Sequence, residues 1–153
     1  MFTLHPAVYN ELMEQRFEII GGDTGTRMRV WGNSVKDLFL NALSGVAAFL
    51  KPEILEAEKK EKPIRQKIEV KAVDLNSLLI EFLSESLTQS DIHGALFHAV
   101  SFKDFGDNFL KGTLSGFKAG EFANDIKAIS DSEVDIKKNP ATGMYETILV
   151  FDV

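Results

Sequence analysis

The chain has 153 residues, 44% hydrophobic and 26% charged, a length and balance that suit one domain with a sizeable core. Seventeen basic against twenty-three acidic side chains leave a formal charge of −6. Such a chain is a poor candidate for gripping a nucleic-acid backbone alone, although a small local basic patch is compatible with it. Cysteine is absent, which excludes a disulfide framework, a zinc–cysteine site and a thiol nucleophile.

Residues 1–15 read as an N-terminal extension, either a short helix starting at Pro6 or a terminus that docks nowhere. They lack the basic and apolar regions of a signal peptide. No apolar run approaches the length of a membrane span, so the expected setting is soluble and cytoplasmic. The domain proper is expected over 16–153.

Phe17 to Ile20 reads as a strand, broken by Gly21-Gly22-Asp23-Thr24-Gly25. Thr26 to Trp31 resumes it, with Met28 and Val30 on one face and Arg27, Arg29 and Trp31 on the other. Ser34, with Asp37 three residues later, resembles a capping box. The apolar stripe Val35, Leu38, Phe39, Ala42, Leu43, Val46 and Leu50 predicts the helix that follows. Gly45 lies inside that helix, at a position where glycine often admits a close neighbour. Pro52 ends the helix, and Glu53 to Lys62 reads as a charged, solvated connector.

Ile64 to Val73 alternates apolar and charged residues, the pattern of a half-buried strand. It runs directly into a second helix capped by Asp74. There Leu75, Leu78, Leu79, Phe82, Leu83 and Leu87 line one face. Ser90 to Gly94 reads as a turn. Leu96 to Phe102 and Phe109 to Leu114 read as a hairpin across Asp104 to Asn108. Ala119 to Asn124 reads as a loop, and Ile126 to Ser130 and Val134 to Lys138 as extended segments. Asn139-Pro140-Ala141-Thr142-Gly143 is a turn, and Met144 to Val153 is a long apolar strand. The resulting class is α+β: two layers, a mixed β-sheet with two amphipathic helices on one face.

Several constellations have plain structural readings. The Gly21–Gly25 loop resembles a phosphate cradle but lacks the Lys-Ser/Thr ending and leads into a strand, so a hairpin turn explains it better. His93 and His98 are placed poorly for a shared metal, and His5 lies in the extension. Glu81 and Glu85 fit a solvated helix face, and Ser84 and Ser86 have no neighbouring His. Arg27, Arg29 and Lys127 mark either a small basic region or ordinary solubilising charge. Phe105, Phe117 and Phe122 fall in or near loops, where an exposed ring suggests a protein-binding patch.

The chain resembles the archease family, accessory proteins of the RNA ligase that seals cleaved tRNA and other RNAs. Asp74-Leu75-Asn76-Ser77-Leu78-Leu79-Ile80-Glu81-Phe82-Leu83-Ser84-Glu85 is similar to that family's D-L-x-x-L-L-x-E-F-L-x-E helix. Trp31-Gly32, Asp125-Ile126-Lys127-Ala128-Ile129-Ser130 and Val150-Phe151-Asp152-Val153 match its other signatures, in the same order. The resemblance implies promotion of ligase guanylylation and turnover, with the RNA ligase as partner; the acidic balance of the chain adds the expectation of no strong direct nucleic-acid binding. The resemblance also implies a divalent metal such as Ca or Mn held by carboxylates. The family draws these from a D-H-T-A-D signature and the penultimate Asp. Here Gly21, Gly22, Asp23, Thr24 and Gly25 occupy the signature, so the metal candidates are Asp23 and Asp152. Asp23 lies on the strand face of Gly25, displaced by roughly 6.5 Å, and a bulge would carry it to the metal position. The alternative has Asp23 satisfying turn N–H groups and Asp152 exposed. In function it is a protein-interaction module that has lost the metal site and the ligase-activating role. A small-molecule enzyme on the same scaffold would need a deep polar pocket.

Overall fold

Alternation and helical periodicity resolve into ten elements among the described residues of the computed structural model, which are 16–21, 25–54 and 62–153. They are β1 (Phe17–Ile20), β2 (Thr26–Gly32), α1 (Val35–Leu50), β3 (Ile64–Lys71), α2 (Leu75–His93), β4 (Ala95–Phe105), β5 (Phe109–Lys118), β6 (Ala128–Ser130), β7 (Lys137–Lys138) and β8 (Tyr145–Asp152). The extension 1–15, Asp23 and most of the connector before β3 lie outside the described residues.

The α+β class holds, and the sheet arrangement corrects the expectation of one mixed sheet. There are two sheets, one ordered β1-β2-β8-β6 with β7 also beside β8, the other β3-β5-β4, and every pairing is antiparallel. A strand–helix–strand succession suggests parallel neighbours. Here β3 and β4 do run parallel, because each is antiparallel to β5, but β5 lies between them. The first helix carries the chain from one sheet to the other. It packs on β1, β2 and β8 and also on β4, while α2 packs on β3 and β4 and reaches β6.

Both helix starts follow their sequence signals. The Ser34 hydroxyl accepts from the Asp37 N–H at 3.0 Å, and the Asp37 carboxylate accepts from the Asn33 N–H at 2.9 Å. A shorter acid thus reaches back one residue further than the usual capping box. The Asp74 carboxylate accepts from the Ser77 N–H at 2.8 Å. The second helix continues beyond Leu87 to His93 and stops where Gly94 takes a left-handed φ of 61°. Its inward face past Leu83 is built partly from Ser86 and Ser90, only 2% and 6% exposed, so an apolar stripe does not reveal it. Ser86 donates to the Phe82 carbonyl at 2.8 Å, and Ser90 accepts from the Phe97 N–H at 3.3 Å.

One core joins both sheets and both helices. Phe39 of α1 stacks on Phe82 of α2 at 5.7 Å and meets Phe105 of β4 edge-on at 4.9 Å. Truncating a fully buried ring of this kind to Ala costs about 3–5 kcal/mol. Phe117, placed near a loop by its sequence context, is a core residue at 3% exposure, because β5 runs on through Gly116 to Lys118. Phe105 is half-buried, and Phe122 is 38% exposed. Gly45 does admit a close neighbour: a methyl group there would overlap the Met28 thioether and approach the Phe17 ring to 3.0 Å.

Candidate functional site: the rim where the first hairpin meets the last strand

The register of the first sheet brings two distant segments to one edge. Ile20 pairs with Arg27 at the end of the hairpin where β1 stops and β2 begins, and Thr26 pairs with Phe151. On the other side of β8, Ala128 of β6 pairs with Asp152, and the Lys127 N–H donates to the Asp152 carbonyl at 2.7 Å. Asp152 is exposed, and the neighbouring Phe151 is buried and rests 5.4 Å from the ring of Phe49 on α1. Alternation therefore turns the Asp152 carboxylate outward while its neighbour anchors the strand.

Gly25 precedes Thr26 by one residue, so the same register sets it across from Asp152. Its φ is 145°, and a Cβ there would come within 3.1 Å of the Phe151 carbonyl. A side chain at this position would meet both a backbone conformation and a close contact that favour glycine. Asp23, the other metal candidate, lies outside the described residues. Among the described residues no group of three or more His, Asp or Glu could hold a metal ion. Asp152 alone does not make a site for a cation that wants six or more oxygens.

The outward face beside Asp152 is an ion-pair network. Arg27 makes two bonds to Glu133, at 2.7 and 3.0 Å. Arg29 meets Glu146 at 3.2 Å and lies 4.6 Å over the Trp31 ring. Glu146 also accepts from the Asn139 side chain at 3.2 Å. Of the two readings of Arg27, Arg29 and Lys127, the ion pairs of both arginines favour ordinary solubilising charge over a basic region. Glu133 and Glu146 lie far along the chain from their arginines, and no spacing in the sequence announces them.

The remaining candidates take structural places. His93 closes α2 and meets the Phe97 ring edge-on at 6.2 Å, and His98 stacks on Phe117 at 5.5 Å. Glu85 accepts from Gln89 at 2.7 Å, while Glu81 is exposed. Depressions over β3–β5 and beside the start of α1 are shallow and open to solvent, which gives the small-molecule reading little support among the described residues.

Two antiparallel sheets bridged by two helices, with the first hairpin locked to β8 at a carboxylate-bearing rim, define a small α+β protein of a recognisable kind. The model of the Archease protein family (MTH1598/TM1083) matches residues 17–153. The chain belongs to the archease family. A curated relative, Protein archease of Pyrococcus furiosus, is 32% identical over 134 residues, covering 82% of this chain and 90% of the relative. The fold is similar to the solution structure of Methanobacterium thermoautotrophicum protein 1598, with a TM-score of 0.66, 20% identity, and coverage of 91% of this chain and 99% of that one. It is also similar to a Thermotoga maritima archease described as a possible chaperone, with a TM-score of 0.62, 15% identity, and coverage of 89% and 96%. No helix among the described residues is long and apolar enough to cross a membrane.

Proposed function

We propose that this chain is a cytoplasmic accessory protein that promotes guanylylation and turnover of an RNA ligase in tRNA splicing or RNA repair. The observation that carries the reading is the family match from residue 17 to residue 153, which spans the rim formed by β2, β8 and β6. In this role the ligase performs the covalent chemistry, and the accessory protein presents its rim to the ligase. The description of the Thermotoga relative as a possible chaperone is in keeping with a protein that acts by holding another in a competent form. A divalent cation such as Ca or Mn, held by Asp152 together with Asp23, belongs to the same proposal.

A second reading has one specific observation in its favour. Glycine occupies position 25, across from Asp152, so the rim would work as a metal-independent protein-interaction surface. One experiment separates the two. The partner ligase is incubated with labelled GTP, with and without this protein, and the covalent guanylate is counted in the presence of Ca, Mn or chelator. Stimulation that needs the cation and is lost in Asp152→Ala and in Asp23→Ala supports the first reading. Stimulation that survives chelator supports the second, and no stimulation removes the ligase role.

A further inference from the structure

The outer face of the second sheet carries charge of one dominant sign. On β3, Arg65, Lys67 and Lys71 are exposed and alternate with Ile68 and Val70, which are buried, so the three cations share the outer face. The register sets Thr113 beside Lys67 and Ser115 beside Arg65 on β5, with Ser101 of β4 next to Thr113. An irregularity between Phe102 and Asp104 makes Lys103 an extra residue in β4. Lys67, Lys103, Lys111 and Thr113, together with Glu69, line one open depression of about 320 Å³.

Two carboxylates, Glu69 and Asp104, share this face; Glu69 lies 4.0 Å from Lys111, and Asp104 pairs with Lys111 in the register. Against them stand Arg65, Lys67, Lys71, Lys103 and Lys111. Among the described residues Arg65, Lys67, Lys71 and Lys103 make no ion pair, whereas Arg27, Arg29 and Lys137 on the first sheet each have a carboxylate partner. The chain as a whole carries −6. Lys36 on α1 and Lys127 before β6 also make no ion pair among the described residues, but they lie apart from each other, whereas this face gathers Arg65, Lys67, Lys71 and Lys103 on a chain that is acidic as a whole, an arrangement that offers a local complement to a polyanion.

We propose that this face binds the sugar–phosphate backbone of an RNA strand, independently of sequence. The middle of the face is Ser101, Thr113 and Ser115, whose hydroxyls suit phosphate oxygens and lie among Lys and Arg side chains, the residue set that backbone contacts use. The core of a protein interface would carry aromatic or apolar anchors and few lysines; here an exposed aromatic, Phe109, lies at the end of the face beside Lys71, and the middle is polar. Arg65 and Lys67 lie about 6.6 Å apart along β3, and Lys71 follows about 13 Å beyond Lys67 with Glu69 between them, so the cations are strung along the direction of an extended strand. The choice of RNA as the polyanion rests on the ligase-accessory reading; the charge geometry does not.

The test is fluorescence anisotropy with a short labelled single-stranded RNA over a salt series, with poly-glutamate as the competing polyanion. Neutralising three or four phosphates on a single strand predicts a slope of log affinity on log salt of about −2 to −3. Lys67→Glu with Lys103→Glu lowers the affinity at low salt by at least about tenfold, and Arg27→Glu on the first sheet leaves it unchanged. Stimulation of ligase guanylylation, measured without RNA, stays intact in the Lys67/Lys103 variant. Absent saturable RNA binding at low salt, wild-type binding by the variant, or equal binding of poly-glutamate overturns the proposal. RNA binding that persists when guanylylation is not stimulated removes the ligase reading and leaves the RNA-binding face standing.

Discussion

Gly116 on β5 stands opposite Phe97 on β4, and the Leu96 carbonyl occupies the space that a Cβ would take. The register slips between Phe97 and Ala99 at this point, so His98 is the extra residue of a bulge. The second slip repeats the pairing of bulge and glycine. Gly112 lies opposite Phe102, with Ser101 O at 2.7 Å from its would-be Cβ, beside the extra residue Lys103. Glycine lets β5 follow the bent strand closely, and the bend aims Lys103 outward.

Gly116→Ala therefore forces backbone against backbone, where no rotamer change brings relief. The expected loss in stability is about 3 kcal/mol or more, at the top of the overpacking range, read by urea unfolding. Gly120→Ala serves as the comparison. The nearest atom to its added methyl is the Lys51 ammonium at 3.6 Å, and the change should stay within about 0.5 kcal/mol. Equal effects from the two substitutions would contradict the account of the bulge.

Asp74 gives α2 a pH dependence of known sign. Hydrogen bonds from the backbone and the side chain of Ser77 hold its carboxyl below the usual carboxylate range. A folded-state value below the unfolded one means that the cap stabilises the fold above about pH 4 and that its contribution fades as the pH falls further. Asp74→Ala should lower the melting temperature by a few degrees at neutral pH. The gap between wild type and variant should close in acid. Asp74→Asn, which still accepts the N–H bond, should show a smaller and flatter difference. A gap that widens in acid would contradict the assignment.

Arg27 and Glu133 tie β2 to the segment after β6 through a two-pronged contact, with side chains 36% and 40% exposed. A double-mutant cycle with Arg27→Met and Glu133→Gln should give a coupling of about 0.5–1 kcal/mol at low salt. Added salt should reduce it. A coupling of zero would mean that Arg27 is free for a partner after all.

Much of the architecture was legible in the residues, because it rests on local chemistry. The caps at Ser34 and Asp74 and the stripes from Leu38 to Leu50 and from Leu75 to Leu83 depend on spacing within a single element. So does the alternation through β2 and β3. The division into two sheets was hidden, since nothing near β3 announces that β5 will separate it from β4. The end of α2 was missed because Ser86 and Ser90 are buried through hydrogen bonds. At the candidate site, Asp152 could be singled out from the chain and its position across from Gly25 could not. The same holds for the pairing of Arg27 with Glu133, and for the meeting of Lys103 with Lys67, which depends on a slip in register.

Strand β8 is the hub of the first sheet, flanked by β2 on one side and by β6 and β7 on the other. Arg29 meets Glu146 across 117 positions of chain. During translation, at about 5–20 residues per second, the β1–β2 hairpin is thus made on the order of ten seconds before the strand that covers its edge. The second sheet, whose three strands are adjacent in synthesis apart from α2, has no such wait. A nascent chain should therefore shelter β3, β4 and β5 early while Met28 and Val30 remain without their last neighbour, which marks the first hairpin as the segment most exposed to mispairing or capture by other proteins as it leaves the ribosome.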